Sequence, residues 1–138
     1  EWNALALGLV SVDGEDETEL RISGSAGGDL AIDQENHLSF RPGEGATISV
    51  IELSTGEVVN TILPDEQADS VAFDPTARLV FSYSREGAMS IVQQNSRDRY
   101  IIVQRMLVPK NGSALVADPK SGKIYLVAGS SVFVYANS

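Results

Sequence analysis

Three stretches of this chain repeat one another, and no other feature restricts its fold as much. Asp33, Asp74 and Asp118 each end a run of β-branched, aliphatic or aromatic residues, 41 and 44 residues apart. Leu30-Ala31-Ile32-Asp33-Gln34 leads to Leu38-Ser39-Phe40. Val71-Ala72-Phe73-Asp74-Pro75 leads to Leu79-Val80-Phe81, and Leu115-Val116-Ala117-Asp118-Pro119 leads to Ile124-Tyr125-Leu126. A second anchor keeps step: Ile48-Ser49-Val50-Ile51, then Met89-Ser90-Ile91-Val92, then Val132-Phe133-Val134-Tyr135. A repeat of this period means that one supersecondary unit is being stacked on copies of itself.

Each unit reads as short strands joined by turns. Asp caps its own turn and Pro presets φ for the position after it. Loops with Gly43 and Gly45, Gly87 and Gly129 separate the second strand from the third. Ser54-Thr55-Gly56-Glu57 is a hairpin turn into a fourth strand, Val58 to Ile62. Its counterpart is a longer turn, Asn95 to Arg99, into Tyr100 to Met106. No long helical periodicity is present. Four short strands in about forty residues mark a β-propeller blade. A β-sandwich also has short, evenly spaced strands, but does not require its sequence to repeat with them. The expected fold is all-β, with propeller blades of four antiparallel strands and about three blades in a single domain, 1–138. Blades are expected at 29–66 and 70–108, an incomplete last blade at 113–138, and strands of a first blade within 1–28.

The remaining residues narrow the function by exclusion. Apolar residues make up 43% and charged residues 21%, as in a packed globular chain. The net charge is −9, so nucleic acid is a poor partner, because phosphate binding needs clustered Lys and Arg. No run of 18 apolar residues exists to span a membrane. The lack of cysteine removes disulfides, thiolate metal sites and cysteine nucleophiles. It fits a periplasmic or secreted protein, with the cytoplasm as the alternative. Glu1 rather than Met opens the sequence, consistent with a processed terminus or a boundary inside a longer chain.

The phrases Ile48-Ser49-Val50-Ile51-Glu52-Leu53-Ser54-Thr55-Gly56-Glu57-Val58-Val59 and Val71-Ala72-Phe73-Asp74-Pro75 resemble the YVTN-type repeat of YncE-like bacterial β-propellers. Asp118-Pro119-Lys120-Ser121-Gly122-Lys123-Ile124-Tyr125-Leu126 resembles the first-to-second strand turn of that family, and Ser90 to Val103 resembles a penultimate blade. The resemblance covers 29–138 and, more loosely, 4–24. It implies a seven-bladed ring more than twice this length, of which these residues resemble the C-terminal half. Three blades cannot close a ring. An uncovered face of ~300–600 Å² would forgo on the order of 10 kcal/mol of burial. The expected partner is therefore another copy of the chain, or a second propeller-half chain, that completes the ring. Trp2, Leu5, Leu7, Val132, Phe133, Val134 and Tyr135 are the candidate interface. Leu5 to Val12, or Glu19 to Ile22, is the candidate fourth strand beside the C-terminal one. The opposing expectation is a compact β domain whose ends pair internally.

No residue set reads as a catalytic or metal centre, and no cofactor is expected. His37 is the only histidine and sits in a turn, too few for multi-histidine metal sites. No Gly-x-Ser-x-Gly elbow accompanies it. Asp13 to Glu19 is acidic but lacks the ligand spacing of a calcium loop and reads as a solvated turn. Asp33, Asp74 and Asp118 stand where carboxylates hydrogen-bond their own turns. Gly24 to Gly28 lacks the Lys and helix of a phosphate loop. Arg41, Arg85 and Lys110, cations on loops of an acidic chain, are candidates for an anionic partner. The expected function is a non-catalytic binding or assembly module. The alternative is a ligand-binding or hydrolytic, lactonase-like propeller whose site a second chain completes.

Overall fold

The computed structural model describes residues 1–4 and 30–137 in full, and 10–11 and 26–27 through their backbone. Every regular element among them is a β-strand. The first sheet is β4 (Ala31–Asp33), β5 (Leu38–Pro42), β6 (Ile48–Glu52) and β7 (Val58–Ile62). The middle sheet is β8 (Ser70–Asp74), β9 (Leu79–Ser84), β10 (Ala88–Ser96) and β11 (Arg99–Leu107). Both are antiparallel meanders in sequence order. In the last sheet β12 (Gly112–Asp118), β13 (Lys123–Ala128) and β14 (Ser131–Asn137) follow the same order. The three sheets stack in a blade-like arrangement, with β8 beside both β4 and β12.

The last sheet does not end at its third strand. β1 (Trp2–Ala4) pairs antiparallel with β14, Trp2 opposite Asn137 and Ala4 opposite Tyr135. β2 (Val10–Ser11) lies along the same edge, opposite Val132 and Ser131. β3 (Ala26–Gly27) pairs with the other edge of the sheet, on β12. These N-terminal pieces thus belong to the last sheet rather than to a separate first blade, and the chain itself covers the edge of Val132 to Tyr135. The physical reason is that an open β14 would leave a row of unpaired backbone groups, and β1 satisfies them. Glu19 to Ser23, Leu5 and Leu7 lie outside the described residues.

The cores sit between the sheets. Leu38, Phe40, Ile48 and Val50 of the first sheet meet Val71, Phe73, Val80 and Val92 of the middle one. On its opposite face the middle sheet sends Leu79, Phe81, Met89 and Ile91 against Leu115, Ile124, Leu126 and Tyr135. Alternation along each strand is what lets one sheet feed two cores. Each sheet therefore has a forward face toward the next sheet and a rear face toward the one before. The turn between β10 and β11 is tighter than Asn95 to Arg99. Pairing runs up to Ser96 opposite Arg99, and a bulge at Val103 takes up the extra residue in β11.

Candidate functional site: the turn clasp and the open face of the first sheet

The repeated Asp builds its turn locally, as its position implies. Asp74 Oδ1 accepts from the backbone N–H groups of Thr76 (2.9 Å) and Ala77 (3.1 Å). Asp118 accepts from the Lys120 N–H (3.2 Å) and the Ser121 hydroxyl (2.8 Å). Asp33 accepts from the Asn36 side-chain amide at 2.9 Å. Four residues after each Asp the chain turns left-handed: His37 at φ 56°, Arg78 at φ 58° and Gly122 at φ 72°. Non-glycine residues rarely occupy this region, so the turn holds His37 and Arg78 in equivalent strained places.

Arg78 uses that place to reach backward across the interface. Its Nη2 donates to Asp33 Oδ2 of the first sheet at 2.6 Å, and to the Gln94 side-chain oxygen. The guanidinium lies 4.9 Å from the Phe73 ring centre. Gln94 Nε2 in turn donates to Asp33 Oδ2 (2.9 Å) and to the Tyr100 hydroxyl (3.1 Å), which donates to the Arg97 carbonyl (2.8 Å). Arg97 also pairs with Glu52. Asp33 is fully buried. Burial alone would raise its pKa, but hydrogen bonds from Gln94, Asn36 and Arg78, with the Arg78 charge, hold it below its ordinary 3.8. The interface thus has a charge direction: acids stand on the forward side of one sheet, cations on the rear side of the next.

No other described sheet packs on the rear face of the first sheet, which is exposed at Leu30, Ile32 and Arg41 and buried at Ser39. In register, Ile32, Ser39 and Ile51 form one row across it, and Arg41, Ser49 and Thr61 another. Ile32 is 47% exposed and Leu30, just before β4, 45%. By repeat spacing Leu30, Ile32, Ser39 and Ile51 correspond to Val71, Phe73, Val80 and Val92 of the middle sheet, all buried against the first sheet. His37 stands at its margin in the place of Arg78. The two rows carry Arg41 and no acid, in a chain of net charge −9. At the other end of the stack, Tyr125, Val132 and Val134 on the forward face of the last sheet are buried.

The structure distributes the sequence candidates unevenly. Trp2, 5% exposed, plugs the core between middle and last sheets, its ring edge-on to Phe81 at 5.1 Å. Gln104 brackets its backbone, accepting from the Trp2 N–H (2.7 Å) and donating to its carbonyl (2.9 Å). Val132, Val134 and Tyr135 are buried within the chain and Phe133 packs on the same core as Trp2. Arg85 and Lys110 come together: the Arg85 carbonyl accepts from the Asn111 N–H (3.0 Å), and the Lys110 stem crosses beside Gly87. Asp69 meets the Arg85 N–H at 2.7 Å, and Asp65 and Glu66 engage Arg105 nearby in sequence, so this end mixes both charges. Arg41 stands apart, on the open face. Sequence reasoning missed Arg78 and Gln94; their only signal was the place of Arg78 in the repeat, four residues after Asp74.

Among the described residues no group of three or more His, Cys, Asp or Glu is placed to hold a metal ion. Nor is there a helix long and apolar enough to cross a membrane. Among the described residues, the fold and site define an all-β chain of stacked, blade-like antiparallel sheets, two of four strands and one of six, with no described sheet on the rear face of the first. No protein-family model matches the chain, and no curated protein is significantly similar to it.

Proposed function

We infer that this chain is a non-catalytic binding and assembly module of the β-propeller kind, which docks through the open rear face of its first sheet. The occupant is another polypeptide, a second copy or a different chain, whose sheet continues the stack. One observation carries the reading: Leu30 and Ile32, 45% and 47% exposed, repeat the positions of Val71 and Phe73, which the middle sheet buries against a neighbouring sheet. Apolar surface of that kind is stabilised by cover. The polar cluster around Asp33 supports the same reading, because its groups satisfy one another across an interface instead of converging on a cavity. The test is a double substitution, Ile32→Asp with Ile51→Asp. The expected result is an unchanged melting temperature together with loss of concentration-dependent association, or of binding to a partner sheet. A melting temperature lowered by several degrees, with the wild type monomeric throughout, would place that face inside the chain's own fold and overturn the reading.

A further inference from the structure

Asn111-Gly112 is the only Asn-Gly pair in the chain. In an open chain such a pair readily loses its side-chain amide, because glycine has no Cβ to keep its nitrogen away from the preceding side chain. Here the pair lies in the turn from β11 into β12, with Asn111 held left-handed at φ 58°. Asn111 is exposed, whereas Gly112 is buried. The Gly112 N–H donates to the Tyr83 hydroxyl at 2.8 Å, and that hydroxyl donates to the Pro109 carbonyl at 2.6 Å. The Asn111 N–H donates to the Arg85 carbonyl at 3.0 Å. Tyr83 belongs to β9 of the middle sheet and Gly112 opens β12 of the last, so the bond crosses the joint between them. Even a Cβ on Gly112 would stand only 2.8 Å from Leu126 Cδ1 and 2.9 Å from Tyr83 Cζ.

We propose that Asn111 is a latent deamidation site, which the joint between middle and last sheets keeps closed with Tyr83 as its gate. In the reaction the Gly112 nitrogen attacks Asn111 Cγ. The new N–Cγ bond closes a succinimide ring, the Cγ–Nδ2 bond breaks, and the amide nitrogen departs as ammonia with the proton from Gly112. Water then opens the ring at either carbonyl, giving aspartate or isoaspartate. Attack requires the nitrogen to leave Tyr83 and the turn to swing toward the Asn111 side chain, and the packing around Gly112 leaves no room for that. Reaction therefore awaits a local opening in which the start of β12 parts from the middle sheet. The isoaspartyl product carries an additional main-chain carbon between residues 111 and 112. Gly112 then cannot return to its place on Tyr83, so an opening that ends in reaction is locked. The site lies away from the docking face and does not rest on it.

The experiment holds the full chain at mildly alkaline pH, folded or unfolded in urea, and follows conversion of Asn111 by peptide mapping with mass spectrometry. The expected rate in the folded chain is slower than in the unfolded chain by about tenfold or more. Tyr83→Phe, which removes the hydroxyl and keeps the ring, is expected to raise the folded rate several-fold. Ile48→Val, in the core between first and middle sheets, is the control for lost stability and should leave the folded rate near that of the unaltered chain. Hydrogen exchange of the Gly112 amide in the unaltered chain needs no variant. The open fraction it reports, multiplied by the unfolded rate, should match the folded rate. A folded rate equal to the unfolded one, or well above that product, would overturn the proposal. So would a Tyr83→Phe rate that changes no more than the Ile48→Val rate, since opening of the whole fold, and not Tyr83, would then be in control.

Discussion

Replacing Trp2 with Ala tests whether the N-terminal strand is part of the fold or merely lies against it. Trp2 sits in the second position of the chain, where a frayed residue would cost nothing to remove. Here its ring is buried and edge-on to Phe81, with an interplanar angle of 81°. Truncating a buried aromatic side chain to Ala costs about 3–5 kcal/mol, the lost transfer energy plus the cavity left behind. Against a net stability of about 5–15 kcal/mol, that is a large fraction of the whole. Denaturant unfolding followed by far-ultraviolet circular dichroism is the assay, because Trp2 is the only tryptophan and the variant loses its fluorescence. Gln104→Ala, which removes two hydrogen bonds to the Trp2 backbone, is expected to cost about 1–3 kcal/mol. The two losses should fall short of additive, since both release the same strand. A Trp2→Ala cost under about 1 kcal/mol, or wild-type emission typical of an indole in water, would refute the placement of β1 as the fourth strand of the last sheet.

Asp33→Ala should cost about 2–4 kcal/mol in denaturant unfolding. That is less than for a fully buried pair, because the Arg78 side chain keeps 22% of its surface in water. Since the folded-state pKa of Asp33 is depressed, its contribution is present above about pH 3.9 and is lost as pH falls through the lower folded value. Asp33→Asn should therefore show a shallower loss of stability below pH 4 in acid titration. Burial, and secondarily Tyr83, pushes the Tyr135 phenol up to about 12. Its contribution is complete below about pH 10 and is lost on the way to pH 12, so Tyr135→Phe should flatten the alkaline limb of a stability–pH curve. Gly112→Ala should destabilise by about 1–3 kcal/mol by thermal melting. A Cβ there would stand 2.8 Å from both the Tyr83 hydroxyl oxygen and Leu126 Cδ1, where Tyr83 now accepts the Gly112 N–H.

What the sequence made legible is what is encoded locally. The Asp turns at 33, 74 and 118, the strand runs after them and the Ser54 to Glu57 hairpin each depend on a few adjacent residues, and all appear where the pattern placed them. Pairing between distant segments was not legible. Trp2–Ala4 joins β14 more than 130 residues away, and three residues carry too little pattern to announce a partner. The third repeat shows a subtler failure. Matching Ile124-Tyr125-Leu126 to Leu38-Ser39-Phe40 follows hydrophobicity, but the left-handed positions His37, Arg78 and Gly122 align Lys123 with Leu38 and Tyr125 with Phe40. A one-residue slip exchanges the faces of a strand. Accordingly Ile124 and Leu126 point back into the core shared with the middle sheet, while Tyr125 joins Val132 and Val134 on the forward face. Backbone geometry, not composition, sets the register of a repeat.

That register also explains why the stack has a direction. The left-handed residue after each Asp turn follows the strand pair backward, so a long side chain there reaches the preceding sheet, as Arg78 reaches Asp33. At the interface between middle and last sheets the same place holds Gly122, which has no side chain to reach with, and the joint relies on the apolar core, Trp2 and the Gln104 bracket. In the first sheet the same place holds His37, and no sheet among the described residues lies behind it. Clasp and core are therefore distributed so that, among the described residues, the two joints between sheets are complete, and the rear face of the first sheet keeps exposed apolar residues, Leu30 and Ile32. An inert end sheet would be expected to carry polar or charged residues at Leu30, Ile32 and Ile51, since edges and faces exposed to water are ordinarily blunted in that way. Substituting them so, as in Ile32→Asp with Ile51→Asp, converts the first sheet into such an end cap, and the fold of the remaining chain is expected to be indifferent to the change.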